Sequence, residues 1–189
     1  MIDALDWAAH NVDMQREFGP GAAGKRSVHT YLIDTLGASD ADVVYYDHGS
    51  GEIADFVTLK KEGEKLLVRL YHCKKAGGAS ASHRVDDVYE ISGQAVKSAI
   101  WASRQTLLER IRRRFQGGTG SHTFVKGDLA LLTRLLVDTP EIHTSYEVHA
   151  VQPGLKKSGL PVAMGNVLAA ASDFLVRGGF HPLKVLGSA

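Results

Sequence analysis

The stretch Gly51–Lys74, GEIADFVTLKKEGEKLLVRLYHCK, constrains this chain more than any other. Ile53–Lys60 is rich in β-branched and aromatic residues, Leu66–Lys74 is mostly apolar, and Glu62-Gly63-Glu64 between them is a polar turn signal. The pattern predicts two adjacent antiparallel strands. Successive side chains of a strand point to opposite faces, so Leu66, Val68, Leu70, His72 and Lys74 share one side, and Leu67, Arg69, Tyr71 and Cys73 the other. On the first strand Ile53, Asp55, Val57 and Leu59 share a side. Antiparallel pairing sets the start of the first strand beside the end of the second, so Asp55 and Lys74 are expected to meet. Charges on otherwise apolar faces cost more than packing returns. The pair therefore marks a site, the bland alternative being a buried ion pair without chemistry.

The flanking sequence supplies the rest of a layered fold. Ser27–Leu36 carries Val28, Tyr31, Leu32 and Leu36 on one helical stripe, and Gly37 stops it. Asp42–Tyr46 reads as a short buried strand, and Asp47–Gly51 as a loop. After the strand pair, Lys75–Ser82 (KAGGASAS) is a small-residue loop of the kind that serves as a lid or a substrate contact. Helices are expected over Arg84–Trp101, Ser103–Phe115, Leu129–Val137 and Val162–Val176, with a Gly-rich break at Gln116–Gly120. Strands are expected over Thr144–Gln152 and Pro182–Gly187. This order predicts a three-layer α/β/α sandwich with a mixed central sheet. Residues 1–24 end in FGPGAAG and read as an N-terminal arm or peripheral helix, with one domain over 25–189.

Composition excludes several classes. The 189 residues, 44% hydrophobic, suit one domain with a proper core. A formal charge of +1 announces no global field, so any nucleic-acid contact must come from local patches. One cysteine, Cys73, forms no intrachain disulfide and no zinc pattern, and fits a reducing compartment. The longest apolar run, Val162–Val176, is interrupted by Gly165, Asn166, Ser172 and Asp173. Without a signal-peptide layout at the N-terminus, a cytoplasmic protein with no membrane partner is expected. No glycine-rich segment leads into a Lys-Ser/Thr, so there is no P-loop. Cys73 points away from His72 and Lys74, which disfavours a thiol nucleophile.

An acid on one strand and an acid-x-Lys on the next resembles the PD-(D/E)XK, or restriction-endonuclease-like, nuclease superfamily. Here Ala54-Asp55 stands for its Pro-Asp and His72-Cys73-Lys74 for its acid-x-Lys, while QAVKS at Gln94–Ser98 resembles the helical Gln motif of some branches. The resemblance spans Ser27–Trp101 and departs at His72, where most members carry an acid. It implies an αβββαβ core with an extra helical pair inserted at Ser103–Val137, and hydrolysis of DNA phosphodiester bonds with Mg²⁺ or Mn²⁺. Asp55 would anchor the ion, helped by the Cys73 carbonyl and by Glu52, which otherwise is a solvated loop-end acid. Lys74 would orient water or stabilise the phosphate. His72 either joins the metal shell or the phosphate, or is a satisfied inward histidine.

Gln94 is a candidate catalytic contact, and Lys97, Lys75, Arg112 and Arg113 are candidate phosphate contacts, against the commoner reading of solvated faces. Arg110 and Arg114 complete the arginine cluster, and Lys156-Lys157 is a second basic pair. The resemblance further implies a defence or restriction-type role, with a helicase or translocase module in the same chain or complex; a homodimer stays open. The rival is a catalytically inactive nuclease-fold module that binds nucleic acid or a partner subunit.

Overall fold

The computed structural model describes residues 2–117 and 121–189. Strands β1 (Ile2–Leu5), β2 (Val43–His48), β3 (Phe56–Glu62), β4 (Lys65–Cys73), β5 (Ser121–Lys126), β6 (Thr144–Lys156) and β7 (Lys184–Ser188) form one sheet in the order β1-β7-β6-β4-β3-β2-β5. Helices α1 (Val28–Gly37), α2 (Val85–Lys97), α3 (Arg104–Gly117), α4 (Leu129–Asp138) and α5 (Val162–Arg177) cover its two faces. The architecture is the expected three-layer α/β sandwich. β2, β3 and β4 form an antiparallel meander, and β6 and β7 add in parallel, so the sheet is mixed.

The hairpin fixes the register of β3 against β4. Glu62 pairs with Lys65 across a two-residue turn whose first central residue, Gly63, has φ 57°, a conformation that a residue with a Cβ adopts only with strain. Val57 then faces Leu70, and Leu59 faces Val68, on the side packed against Val88 and Ile91 of α2, Leu107 and Ile111 of α3, and Leu175 of α5. Phe56 and Cys73 face the other layer, where Val28, Tyr31, Leu32 and Leu36 of α1 form the expected stripe. The Ser27 side chain caps α1 by accepting the Thr30 N–H at 3.2 Å.

Three expectations give way. The segment 1–24 is not a helical arm: β1 pairs in parallel with β7, and Trp7 is buried, donating its indole N–H to the Gly187 carbonyl at 3.0 Å. A four-residue strand with half-exposed ends carries too little pattern to be seen in sequence. The insertion is a helix, a strand and a helix rather than a helical pair, because β5 extends the sheet beyond β2. β5 follows the expected Gly-rich break: α3 continues through Gln116 and Gly117, while Gly118, Thr119 and Gly120 lie outside the described residues. Finally, β3 begins at Phe56, so Asp55 precedes the strand and escapes its alternation.

The loop 75–82 has no regular structure but is tied down at both ends, by Ala76 N–H to the Met14 carbonyl (2.7 Å) and Ser82 N–H to the Gly154 carbonyl (2.9 Å). Among the described residues no helix is long and apolar enough to cross a membrane.

If the N-terminal segment belongs to the core, Trp7→Ala lowers stability by ~3–5 kcal/mol, the usual cost of truncating a buried Trp. Urea titration checks this; an unchanged midpoint would make the segment the dispensable arm its composition suggests.

Candidate metal centre

Four segments converge at the open end of the β3–β4 hairpin. Asp55, just before β3, is buried, and its Oδ2 accepts the Cys73 N–H at 2.8 Å. That bond ties the end of β4 to the start of β3 and aims Oδ1 away from the sheet. There Oδ1 meets His48 Nδ1 at 3.3 Å, from the end of β2, and His29 Nε2 at 3.4 Å, from the first turn of α1. The Glu17 backbone carbonyl accepts the His29 N–H at 2.9 Å, which brings the Glu17 carboxylate to the same point. One ligand atom from each of Glu17, His29, His48 and Asp55 lies within 4.8 Å of the others.

The Asp55–histidine spacings of 3.3 and 3.4 Å suit neighbouring ligands of one divalent ion, with Glu17 needing a small shift inward if its carboxylate lies at the 4.8 Å limit. Ligands about 2.1 Å from one centre stand ~3 Å apart at right angles and ~4.2 Å apart when opposed. His29 also has the support that metal-bound imidazoles usually have: Nδ1 lies 3.1 Å from the Tyr46 hydroxyl, while the buried Nε2 facing Asp55 makes no hydrogen bond. Two imidazoles and two carboxylates form a mixed nitrogen and oxygen set, which suits Mn²⁺ and later transition metals better than Mg²⁺.

Charge at the site is sharply divided. Burial pushes the Asp55 carboxyl up, but the His48 hydrogen bond, the nearby His29 ring and the Cys73 amide outweigh it and hold it below the ordinary range. The bond to Asp55 in turn raises His48. Burial drives His29 down to about 4, so its ring is neutral at pH 7, as a ligand must be.

Beside this centre a cleft of about 490 Å³ opens, lined by His48, Glu52, His72, Lys74, Gln94 and Lys97 among others. Lys74 Nζ is 3.4 Å from Glu17 and 3.8 Å from Glu90, and no ion pair within 4 Å joins it to Asp55. The expected meeting of Asp55 and Lys74 therefore does not occur, and the bland reading of a buried ion pair between them fails with it: Asp55 precedes β3 and turns its oxygens to Cys73, His48 and His29, while Lys74 turns to Glu17 and Glu90. Burial lowers the Lys74 pKa, but Glu17, Asp55 and Glu90 together raise it above its ordinary value, so the ammonium persists at neutral pH.

Glu52 sits at the rim, accepting the Gly49 N–H at 2.9 Å and 3.7 Å from His48 Nδ1; burial and then Asp55 raise its pKa. Cys73 is buried, and its carbonyl leaves the strand edge from which its N–H reaches Asp55. His72 lines the cleft with Nε2 2.7 Å from the Ser98 hydroxyl, outside the four-residue cluster.

The basic residues divide. Lys97 is on the cleft, and Lys75 lines an adjoining groove with Gln15–Pro20. Arg112 lies along α3 and α4, with Nη2 3.3 Å from Thr133 Oγ1, and Arg113 is exposed; neither lines the cleft. Arg114 is a structural residue: its Nε donates to Asp47 at 2.7 Å and its Nη1 to the Ser50 carbonyl at 2.7 Å, while Arg110 holds the Gly51 carbonyl. The arginines thus brace the loop that presents His48 and Glu52. Sequence reading misses Glu17, His29 and His48. His29 adjoins the apolar stripe of α1 and His48 precedes Gly-Ser-Gly, but only folding makes them neighbours.

Metal-free protein should lose stability on acidification. Burial holds His72, like His29, down to about 4, whereas an unfolded histidine titrates near 6.5. The unfolded chain thus binds the extra protons between these values, and each such ring costs ~1.4 kcal/mol per pH unit below about 6.5. Thermal melts in EDTA should show a lower Tm at pH 5 than at pH 7, and a shallower decline for His72→Gln. A flat profile from pH 7 to 4.5 would refute the burial account.

No protein-family model, curated protein or solved structure matches this chain.

Proposed function

We propose that the chain is a metal-dependent nuclease of the restriction-endonuclease-like kind, hydrolysing phosphodiester bonds in DNA. The observation that carries this reading is the convergence of Asp55, His29, His48 and Glu17 at the start of β3, with Lys74 just beyond the end of the neighbouring β4. The element order α1-β2-β3-β4-α2-β6, with β4 and β6 parallel, supports it, since it is the αβββαβ order that the resemblance implies.

Asp55, His29, His48 and Glu17 would hold the ion, with Mn²⁺ preferred to Mg²⁺ on donor chemistry. A bound divalent ion would supply a hydroxide-like nucleophile and neutralise phosphate charge. Lys74 remains an ammonium, which suits it to stabilise the negative phosphate rather than to take a proton. Its present partner Glu17 belongs to the ligand cluster, so a carboxylate drawn toward the ion would leave Lys74 for the phosphate. Gln94, from α2, can hold the scissile phosphate or water through its amide, and Lys97 a flanking phosphate. His72, tied to Ser98, shapes the floor.

A non-catalytic binding module is favoured by one observation alone, that Lys74 is already engaged by two carboxylates.

Cleavage of plasmid and single-stranded circular DNA by purified protein decides between them. Mn²⁺ should support activity above Mg²⁺. Asp55→Asn should abolish it, and Lys74→Ala should reduce it ~10²–10³-fold, as removal of one transition-state contact does elsewhere. Inactive wild-type protein across divalent ions, or full activity in either variant, would sink the nuclease reading.

A further inference from the structure

The cleft beside the metal centre carries apolar surface that phosphate chemistry does not need. Ile100 is 65% exposed, and Trp101 packs partly on the core while lining the cleft. Both stand on the 3₁₀ turn Ser98–Trp101 that continues α2, one turn beyond Lys97. Phe18, 54% exposed, lines the adjoining groove with Lys75 and is tilted against His48, ring centroids 4.4 Å apart. One aromatic ring thus stands on the cleft near Lys97, and a second on the adjoining groove against the cleft residue His48.

We propose that this cleft takes a single polynucleotide strand, with unpaired bases stacking on Trp101 and Phe18 on either side of the reacting phosphate. The inference rests on the nuclease reading for which phosphate is cleaved, and it adds the substrate class. In a duplex the base faces are stacked inside and offer an aromatic side chain nothing, whereas a single strand presents a π-face at every nucleotide. Duplex recognition instead relies on broad phosphate contacts. The cleft offers few of those, because Arg112 and Arg113 lie elsewhere and Arg110 and Arg114 are committed to the loop 47–51. A volume of about 490 Å³ also suits a short unpaired segment better than a double helix. Stacking on Trp101 and Phe18 would let a protein of formal charge +1 hold an anionic strand although, among the described residues, only Lys74 and Lys97 are lysines on the cleft.

Intrinsic fluorescence tests this directly, because the chain has two tryptophans and Trp7 is buried away from the cleft. Wild-type protein in EDTA at low salt is titrated with dT12, rU12 and a 12-base-pair duplex. Saturable quenching by dT12 or rU12, about tenfold tighter than by duplex, is expected, and the stronger of the two identifies the sugar preferred. Both Trp101 variants lose the cleft reporter, so they are compared with wild type by anisotropy of fluorescein-labelled dT12: Trp101→Leu should weaken strand binding about tenfold, while Trp101→Phe, which keeps an aromatic ring, should retain most of it. Duplex binding as tight as strand binding, no binding of either strand, or unchanged strand affinity in Trp101→Leu would overturn the proposal. Binding is read without metal, so absence of cleavage leaves these outcomes untouched.

Discussion

A buried carboxylate that accepts a backbone amide organises this molecule's working end. Asp55 Oδ2 takes the Cys73 N–H where the β3–β4 ladder runs out, replacing a ladder bond with a charged one. Burying such a charge is costly unless it is compensated, and His48 and His29 approach its second oxygen. Everything near the site is arranged to keep that approach. Tyr46 orients His29, the arginines of α3 brace the loop after His48, and the Glu17 carbonyl receives the His29 N–H.

The Asp47–Arg114 pair shows how structure and site share residues. Both partners are buried, with Arg114 Nη2 2.6 Å from Asp47 Oδ1, and Asp47 Oδ2 also accepts the Ile53 N–H at 3.1 Å. The loop between His48 and Ile53 is therefore closed on itself and bolted to α3, which keeps His48 and Glu52 in fixed positions. A triple-arginine helix end looks like a nucleic-acid patch in sequence, but alternate helical positions face different surroundings. Arg110 and Arg114, four apart, turn inward together, while Arg112 and Arg113 stay outside.

The sheet was legible because strand alternation and turn chemistry are local. The hairpin, α1, α2, α4, α5 and the parallel return strands all lie close to where periodicity puts them. Asp55 and Lys74 stand out in the sequence because a charge interrupts an apolar strand pattern, whereas Gln94 and Lys97 stand out only through the resemblance at QAVKS. Glu17, His29 and His48 break none. Histidine is ordinary on a helix or at a strand end, and Glu17 lies in a segment whose placement depends on Trp7 and β1 docking against the last strand. β5 was hidden in an insertion whose flanking helices dominate its pattern. Local signals thus recover the scaffold and Asp55; the cluster of Glu17, His29 and His48 around it is a product of long-range contacts.

The central claim is that Asp55 and the two histidines hold one divalent ion. A crystal soaked in Mn²⁺ and measured for anomalous scattering tests it most directly. The account predicts one strong peak about 2.0–2.3 Å from Asp55 Oδ1 and from an imidazole nitrogen of His29 or His48. A peak confined to the Glu52 rim, or an empty site with His48 still bonded to Asp55, would contradict it.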